Sequence, residues 1–418
     1  MVLALMRILF FTDNFPPESN APASRTYEHA LRWVRAGHEV EVVTCAPNFP
    51  AGKVFPGYRN RLFQRETMDG ISVVRVWSFV TANSGFGLRV LDYLSFMVMA
   101  ALAAPFLRRP DVVIGTSPQF FTLPAAWFAA KIKRRPWILE LRDLWPESVK
   151  TVGAMKDSLP IRLAERLEMF LYRSADRIVT VTHAFKRILA ERGIDDGKIE
   201  VVTNGVDLSR YAPQPRDRAL EAELDLEGRL VGGYVGTHGM AHGLETLLDA
   251  AEIARSDPAL ADLVILFVGD GARRAELEAS ATARGLSNVR FVGGVPKADI
   301  ARYWSLLDFS IVHLKDDPLF TTVIPSKIFE CMGMGIPVLM GVRGEALEIV
   351  EGSGSGVGFA PDDAQALVQR MREFALDPAK RAAIAAGARD AAPAFDREAL
   401  AMRMLGVIQV TAAANQVE

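Results

Sequence analysis

Cysteine is almost missing from this chain: 2 residues in 418, Cys45 and Cys331. Both sit in apolar runs far apart. That excludes a disulfide framework and points to buried thiols in a reducing compartment. Histidine is scarce too, with 6, and no Cys/His cluster has metal-ligand spacing. There is no Gly-x-Ser-x-Gly elbow, no Walker lysine loop and no Asp-x-Asp signature, so serine-hydrolase and P-loop chemistry have no foothold. Short repeats and low-complexity tracts are absent, which removes solenoids and arrays. An excess of one charge is also lacking. The formal net charge is −2, and nothing global asks for nucleic acid.

What is present is globular: 50% hydrophobic and 23% charged residues. The near-neutral total hides an uneven distribution. Residues 1–200 hold 27 Lys and Arg against 20 Asp and Glu, leaving 21 and 30 for residues 201–418. A basic first half fits an anionic surface or substrate; a solvated basic face gives the same count. The apolar start, Met1 to Thr12, has no small-residue cleavage site and reads as a first strand, not a signal peptide.

The length predicts two or three domains. Short β-branched runs alternate with helical stretches throughout. Strands are expected at Arg7–Thr12, Val40–Cys45, Ile71–Trp77, Val112–Thr116, Trp137–Arg142, Arg177–Thr182 and Glu200–Asn204. The series resumes at Leu230–Val235, Val264–Val268, Val289–Val292, Phe309–Leu314, Val338–Val342 and Gly356–Phe359. Continuous apolar strands separated by helices mean parallel sheets covered on both faces. The pattern runs its course twice, with a linker expected near 205–225. The expectation is an α/β protein of two Rossmann-like, doubly wound domains facing across a cleft. They would span residues 1–210 and 211–394, with a helix at about 395–418 packing back on the first. Ligands should then sit at the carboxyl ends of strands.

One stretch stands apart. Leu91–Leu107 carries a single charge, Asp92, and is flanked by Arg89, Arg108 and Arg109. It is slightly short for a bilayer span. It reads either as a buried crossover helix or as a helix lying on a membrane surface. The aromatic-apolar Ala125–Ala130 followed by Lys131, Lys133, Arg134 and Arg135 adds weight to membrane contact.

The segment from Pro325 to Val338 concentrates chemistry. Lys327 and Glu330 lie one turn apart at the start of a short helix. A helix that opens on Pro-Ser offers N–H groups to an anion. Lys327 adds a point charge, and Glu330 accepts hydroxyl hydrogen bonds. Together they would hold the diphosphate and ribose of a nucleotide sugar; a capped surface helix would carry the same letters. Gly236-Thr237-His238-Gly239 and His242 follow a strand, where glycines admit a ligand and Thr237, His238 and His242 can donate to phosphate. Gly269 and the Gly294-Val295 pair close neighbouring strands and would offer backbone groups to a base. In the first half, Arg142, Asp143, Trp145 and Glu147 sit at a strand end. They fit a sugar-binding or acid/base role, or a buried Arg–Asp pair. Asn20, Ser24 and Arg25 end the first strand–helix loop and are expected at the same mouth. His183 and His313 read as structural.

With these residues in hand, the chain resembles GT-B glycosyltransferases of family 4, most nearly the bacterial O-antigen and capsule enzymes similar to N-acetylfucosamine transferases. The resemblance rests on Phe11–Glu18, Arg142–Glu147, Val202–Asp207, Tyr234–Gly239 and Ile324–Glu330. It implies a retaining transfer from a nucleoside diphosphate sugar, with no metal or other cofactor. Glu330 matches the second acid of the family's paired-glutamate motif. Thr322 stands where the first would be, and the usual Arg/Lys phosphate pair is replaced by Gly236–Gly239 and His242. Lys327 is then the candidate for the missing charge, with Asp143 and Glu147 as further candidates for catalysis. The implied partners are a nucleotide-sugar donor and a lipid-linked polyprenyl diphosphate acceptor, reached from the cytoplasmic side of the membrane. Two rivals share the architecture: a nucleotide-sugar 2-epimerase and a non-catalytic sugar-nucleotide-binding protein.

Overall fold

The computed structural model describes residues 5–18, 20–49, 51–81, 86–144 and 159–414. The chain divides into two units. One takes residues up to Thr203 and resumes at Glu398; the other is continuous, Asn204–Arg397.

The first unit is built on an eight-stranded sheet. Its strands are β1 (Arg7–Phe11), β2 (Glu39–Cys45), β3 (Phe63–Met68), β4 (Ile71–Val76), β5 (Val112–Thr116), β6 (Trp137–Leu141), β7 (Arg177–Thr180) and β8 (Ile199–Val201), in the order 3-4-2-1-5-6-7-8. All neighbours are parallel except β3, which runs antiparallel to β4 at the edge. The helices are α1 (Ala21–Arg35), α2 (Phe86–Ala103), α3 (Thr122–Lys133), α4 (Leu159–Ser174) and α5 (His183–Glu191). The buried apolar strands read as near-continuous runs because helices cover both faces. One core packs β-strand side chains against α2, α3, α4 and α5. The other packs α1 against α14 (Arg397–Ala414).

α14 supplies Leu400, Met404, Leu405 and Ile408 to the same core as Phe10 and Trp33. Trp33 Nε1 donates to the Ala401 carbonyl at 2.9 Å. The tail helix thus completes the first unit.

The second unit has a six-stranded parallel sheet: β9 (Leu230–Val235), β10 (Leu263–Val268), β11 (Val289–Val292), β12 (Phe309–His313), β13 (Val338–Gly341) and β14 (Gly356–Gly358), ordered 11-10-9-12-13-14. Its helices are α6 (Arg218–Glu223), α7 (Glu245–Ala254), α8 (Arg274–Ala283), α9 (Ile300–Trp304), α10 (Lys327–Met334), α11 (Glu345–Gly352), α12 (Ala364–Leu376) and α13 (Pro378–Ala391). The stretch expected as a linker is part of this unit. Val206, Tyr211, Leu220 and Leu226 are buried in its core. Turn letters and prolines predicted a linker, but apolar residues spaced among them anchor the segment.

Strand order fixes where ligands can bind. It reverses between β1 and β5 in the first sheet and between β9 and β12 in the second. At such switch points adjacent loops diverge and leave a crevice at the strand ends.

Candidate active site

The loop after β9 opens at the switch point of the second sheet. Gly236 has φ +141°, and a Cβ there would stand 2.8 Å from Lys327 Nζ. A side chain is disfavoured there by the backbone conformation, and one would displace the lysine ammonium from its present place. Gly269, which follows β10, has φ +139°, and its missing Cβ would fall 2.0 Å from the Gly236 carbonyl. The two loops are tied by Gly236 N–H to the Val268 carbonyl at 2.8 Å and His238 N–H to the Asp270 carbonyl at 2.9 Å. Backbone packed this closely fixes the floor of the crevice.

Lys327, the first residue of α10, reaches back over that floor. Its ammonium lies 3.8 Å from the centre of the Tyr234 ring, a cation–π contact. The nitrogen is shielded from solvent and, among the described residues, has no hydrogen-bond partner. Burial pushes its pKa down to about 8, against the opposing pull of Glu330. His238 is fully buried among Tyr234, Phe267 and Phe291, and among the described residues neither of its ring nitrogens has a partner. The His242 Nδ1 is likewise unpartnered; burial first, then Lys327, hold that ring's pKa near 4. A buried ammonium and two neutral imidazoles, each able to donate from one ring nitrogen, gather polar groups that lack partners among the described residues. Orphaned polar groups of this kind cost free energy until an acceptor arrives, and a diphosphate carries acceptors in number.

Glu330 follows one turn later. Burial raises its pKa, while Arg397, Lys327 and the Tyr211 hydroxyl favour its ionised form. Burial wins, and the carboxyl lies above its ordinary value; in its ionised form it accepts hydroxyl donors of the kind a ribose carries. Thr322 lies in the turn before α10, and its hydroxyl donates to the Leu319 carbonyl at 3.1 Å.

One expectation needs correcting. The start of α10 does not present a row of free N–H groups. Ile328 N–H bonds to the Pro325 carbonyl at 3.2 Å and Phe329 N–H to the Ser326 carbonyl at 3.1 Å. The tight first turn satisfies these donors locally, so the positive charge at this place comes from the lysine side chain.

The remaining residues read from the sequence are placed as follows. Thr237 is exposed beside the Gly236 turn, and Gly294 and Val295 follow β11 on the loop next to Asp270. His313 Nδ1 lies 2.7 Å from the His242 carbonyl and donates to it, which leaves Nε2 to accept the Asp362 N–H at 3.0 Å. Both nitrogens are used, so His313 is structural. Tyr234 was not singled out from the sequence. It stood only as the first letter of the Tyr234–Gly239 string, inside an apolar strand two residues before a Gly-rich turn.

In the first unit, the loops after β1, β5 and β6 converge. Asn20 caps α1 by accepting the Ala23 N–H, and its amide donates to Asn14 at 2.7 Å. Ser24 lies in the first turn of α1, with its N–H on the Asn20 carbonyl. Arg25 is buried. It donates to Glu140 at 3.0 Å and to the carbonyls of Thr203 and Val202 at 2.8 and 2.9 Å. It therefore ties three segments together, where the sequence pointed to an acceptor-facing cation. Burial opposes ionisation of Glu140, yet Arg25, Arg142 and the Thr116 hydroxyl at 2.6 Å outweigh it and lower its pKa. A glutamate inside the apolar strand Trp137–Leu141 was the sequence signal for this pair.

Arg142 is held against the carbonyls of Pro22 and Ala21, both at 3.4 Å, and burial lowers its pKa to about 10. Ser117 Oγ accepts the backbone N–H groups of Arg142 at 2.7 Å and Asp143 at 3.3 Å, which fixes this strand end. Trp145 and Glu147 lie outside the described residues. Asp13, at the end of β1, is more notable than the sequence showed. Burial, reinforced by Asp92 and Glu18, pushes its carboxyl up to about 8. Among the described residues, no group of three or more His, Cys, Asp or Glu is placed to hold a metal ion.

Two family models match the chain: a glycosyl transferase 4-like domain over residues 20–205 and a glycosyl transferases group 1 domain over residues 229–377. The probable glycosyltransferase WbjE of Pseudomonas aeruginosa is 29% identical over 274 residues, covering 64% of this chain and 66% of that protein. The putative colanic acid biosynthesis glycosyl transferase WcaI of Escherichia coli K12 is 27% identical over 391 residues, covering 89% and 93%. Among solved structures, Anabaena HepE in complex with UDP is similar at a TM-score of 0.70 and 20% identity, over 97% of this chain and 100% of that one. Likeness at that identity speaks to the fold. The two sheets, parallel but for the edge strand β3, with crevices at their switch points, fit these matches: the chain is a glycosyltransferase of the GT-B fold, a 4-like domain followed by a group 1 domain.

Proposed function

We propose that this glycosyltransferase works in bacterial surface polysaccharide synthesis. It moves a sugar from a nucleoside diphosphate sugar to a lipid-linked, polyprenyl diphosphate saccharide, with retention at the anomeric carbon. The observation that carries the donor half is the buried, unpartnered Lys327 ammonium over Tyr234, with the open nitrogens of His238 and His242 beside it. HepE was solved with UDP and with UDP-glucose, and WcaI is named for colanic acid biosynthesis. An N-acetylated amino sugar such as N-acetylfucosamine is the first donor sugar to test. The expected membrane-side location follows from the acceptor.

In this reading the diphosphate lies against Lys327, with the ribose on Glu330. The bond from the anomeric carbon to the diphosphate oxygen breaks as the acceptor oxygen bonds to the same face of that carbon. The acceptor proton passes to the departing diphosphate oxygen. The protein's part is to hold acceptor and leaving group on one face of the anomeric carbon and to stabilise the charge on the leaving diphosphate. Lys327 is placed for the second task, and no separate base is required.

Calorimetry with UDP and GDP tests the donor site. Tight binding of one nucleotide, weakened in Glu330→Ala by roughly 1.5–3 kcal/mol, is the expected result, since hydrogen bonds to charged groups are worth about that much. Binding unchanged by the substitution would remove the ribose assignment. Product analysis with membrane lipid extract and with soluble sugars then tests the acceptor. Transfer to soluble sugars alone would overturn the lipid-linked half.

A further inference from the structure

α2 is unlike the other helices of its sheet face. The stretch Gly87–Phe106 is long and apolar enough to cross a membrane by length and composition, yet only 22% of its apolar window is buried. Spanning is excluded by its place in the fold. Phe96, Ala100, Ala104 and Leu107 are buried in the core beneath it, and the chain enters from β4 and leaves to β5. Its other face is bare. Leu88, Leu91, Val98 and Leu102 are about half exposed or more, and Phe106 is 77% exposed. A crossover helix normally turns polar residues outward.

The bare face does not stop at α2. The helix packs against α3, which packs against α4. Phe128 and Ile132 on α3, and Leu163 and Phe170 on α4, are also exposed. At the far end of α2 a groove of about 420 Å³ is lined by Leu62, Phe63, Met99, Leu102, Ala103 and Phe106. Exposed apolar side chains gathered on three neighbouring helices, with a groove beside them, mark an interaction site.

Charge around it identifies the occupant. Arg65 is 40% exposed, lies 3.5 Å from the buried Glu41 carboxylate, stacks on the Phe63 ring at 5.6 Å and donates to the Phe106 carbonyl at the groove's edge. Arg108, directly after the helix, is 64% exposed and makes only a long, exposed ion pair with Glu39 at 3.6 Å, which a headgroup phosphate can displace. Lys133 donates to the carbonyls of Pro105 and Leu107, which brings the exposed Lys131 and Arg134 to the same end of α2. An apolar surface rimmed by cations suits acyl chains beneath anionic headgroups. A protein partner would need a matching apolar face ringed by acids.

We propose that the α2–α3–α4 face is a docking surface for an anionic phospholipid bilayer. The groove beside Phe106 takes acyl chain, and Arg65 and Arg108 meet headgroup phosphates. This surface deepens the lipid-linked reading above, but its test needs no substrate, so the two can fail separately.

Flotation of the full chain with phosphatidylcholine vesicles, with and without 30% phosphatidylglycerol, is the experiment. Binding is expected only with the anionic lipid at low salt, and should fall sharply at ~0.5 M salt, because surface charges are screened beyond about 3–10 Å there. The double variant Leu102→Asp, Phe106→Asp should lose binding at least tenfold while its melting curve stays unchanged, since both side chains are exposed. Arg108→Gln should weaken binding about fivefold, the share of one basic residue near an anionic surface. Binding retained by the aspartate variant would overturn the proposal, as would a folded wild type that ignores anionic vesicles. A dimer in gel filtration that the aspartates dissolve would assign the face to a second copy instead.

Discussion

Lys327 is a charged side chain placed where charge is costly. Its pKa of about 8 means that the free enzyme loses the ammonium as pH rises through that value. Nucleotide affinity should therefore be flat from pH 6.5 to 7.5 and fall above 8. Bound diphosphate favours the charged form, so binding at pH 8.5 should take up a proton. Calorimetry in buffers of different ionisation enthalpy measures that uptake. Lys327→Ala should lower kcat/KM by about 10²–10³, the usual cost of removing one charge-stabilising donor, and Lys327→Arg should not restore it, because a guanidinium is too broad for the space left by Gly236. Full activity in a folded Lys327→Ala protein would pass the role to His238 or His242.

Asp13 makes a separate prediction about stability. Its pKa rises from 3.8 to about 8 on folding, through burial first and then Asp92 and Glu18. A carboxyl whose folded pKa is raised stabilises the native state fully below its unfolded pKa. That contribution is lost as pH climbs through about 8. Even a quarter of the shift is worth about 1.4 kcal/mol. Asp13→Asn should therefore melt higher than wild type at pH 9, with a smaller difference at pH 5. Equal melting curves at both pH values would show that the carboxyl ionises without penalty.

At the scale of elements, α14 offers a clean test of packing. Met404 is fully buried between α1 and the strands of the first unit. Met404→Ala should cost roughly 2–5 kcal/mol, as other large-to-small core changes do, and hydrogen exchange should rise in α1 and β1 while β9 stays protected. Elements of this apolar kind were legible in the sequence. Runs such as Leu263–Val268 announced buried parallel strands, and Leu400, Met404 and Ile408 gave α14 an apolar face. β3 was not legible. Its sequence, Phe-Gln-Arg-Glu-Thr-Met, lies at an edge and is half exposed, so it carries no apolar run. The candidate site was readable in part. Lys327 and Glu330 stood out by spacing, and glycines marked the turns. The Arg25–Glu140 tie joins residues 115 positions apart, and no local pattern encodes such a pair. The first turn of α10 failed for a related reason, since letters do not show whether backbone donors are already spoken for.

Taken as a whole, the molecule should answer two ligands in two places. Hydrogen exchange in the presence of the nucleotide should slow in the turns at 236–243 and at 326–330. Anionic vesicles should instead protect residues 87–106. Nucleotide protection appearing only in α2 would contradict the site assignment in the second unit. The halves also differ in charge, +7 for residues 1–200 and −9 for 201–418, so salt should weaken vesicle binding far more than it weakens stability.

The path of the chain has one more consequence, for biosynthesis. The first unit leaves its own core at Thr203 and regains it only at Glu398. A ribosome that has finished β8 has therefore released a sheet whose α1 face, with Trp33 and Phe10, is still uncovered. That face waits while all 194 residues of Asn204–Arg397 are made. The second unit is continuous and can close as soon as it emerges, so the order of completion reverses the order of translation. During this interval the nascent chain carries an open apolar groove shaped for α14, and it is there that a chaperone would find it.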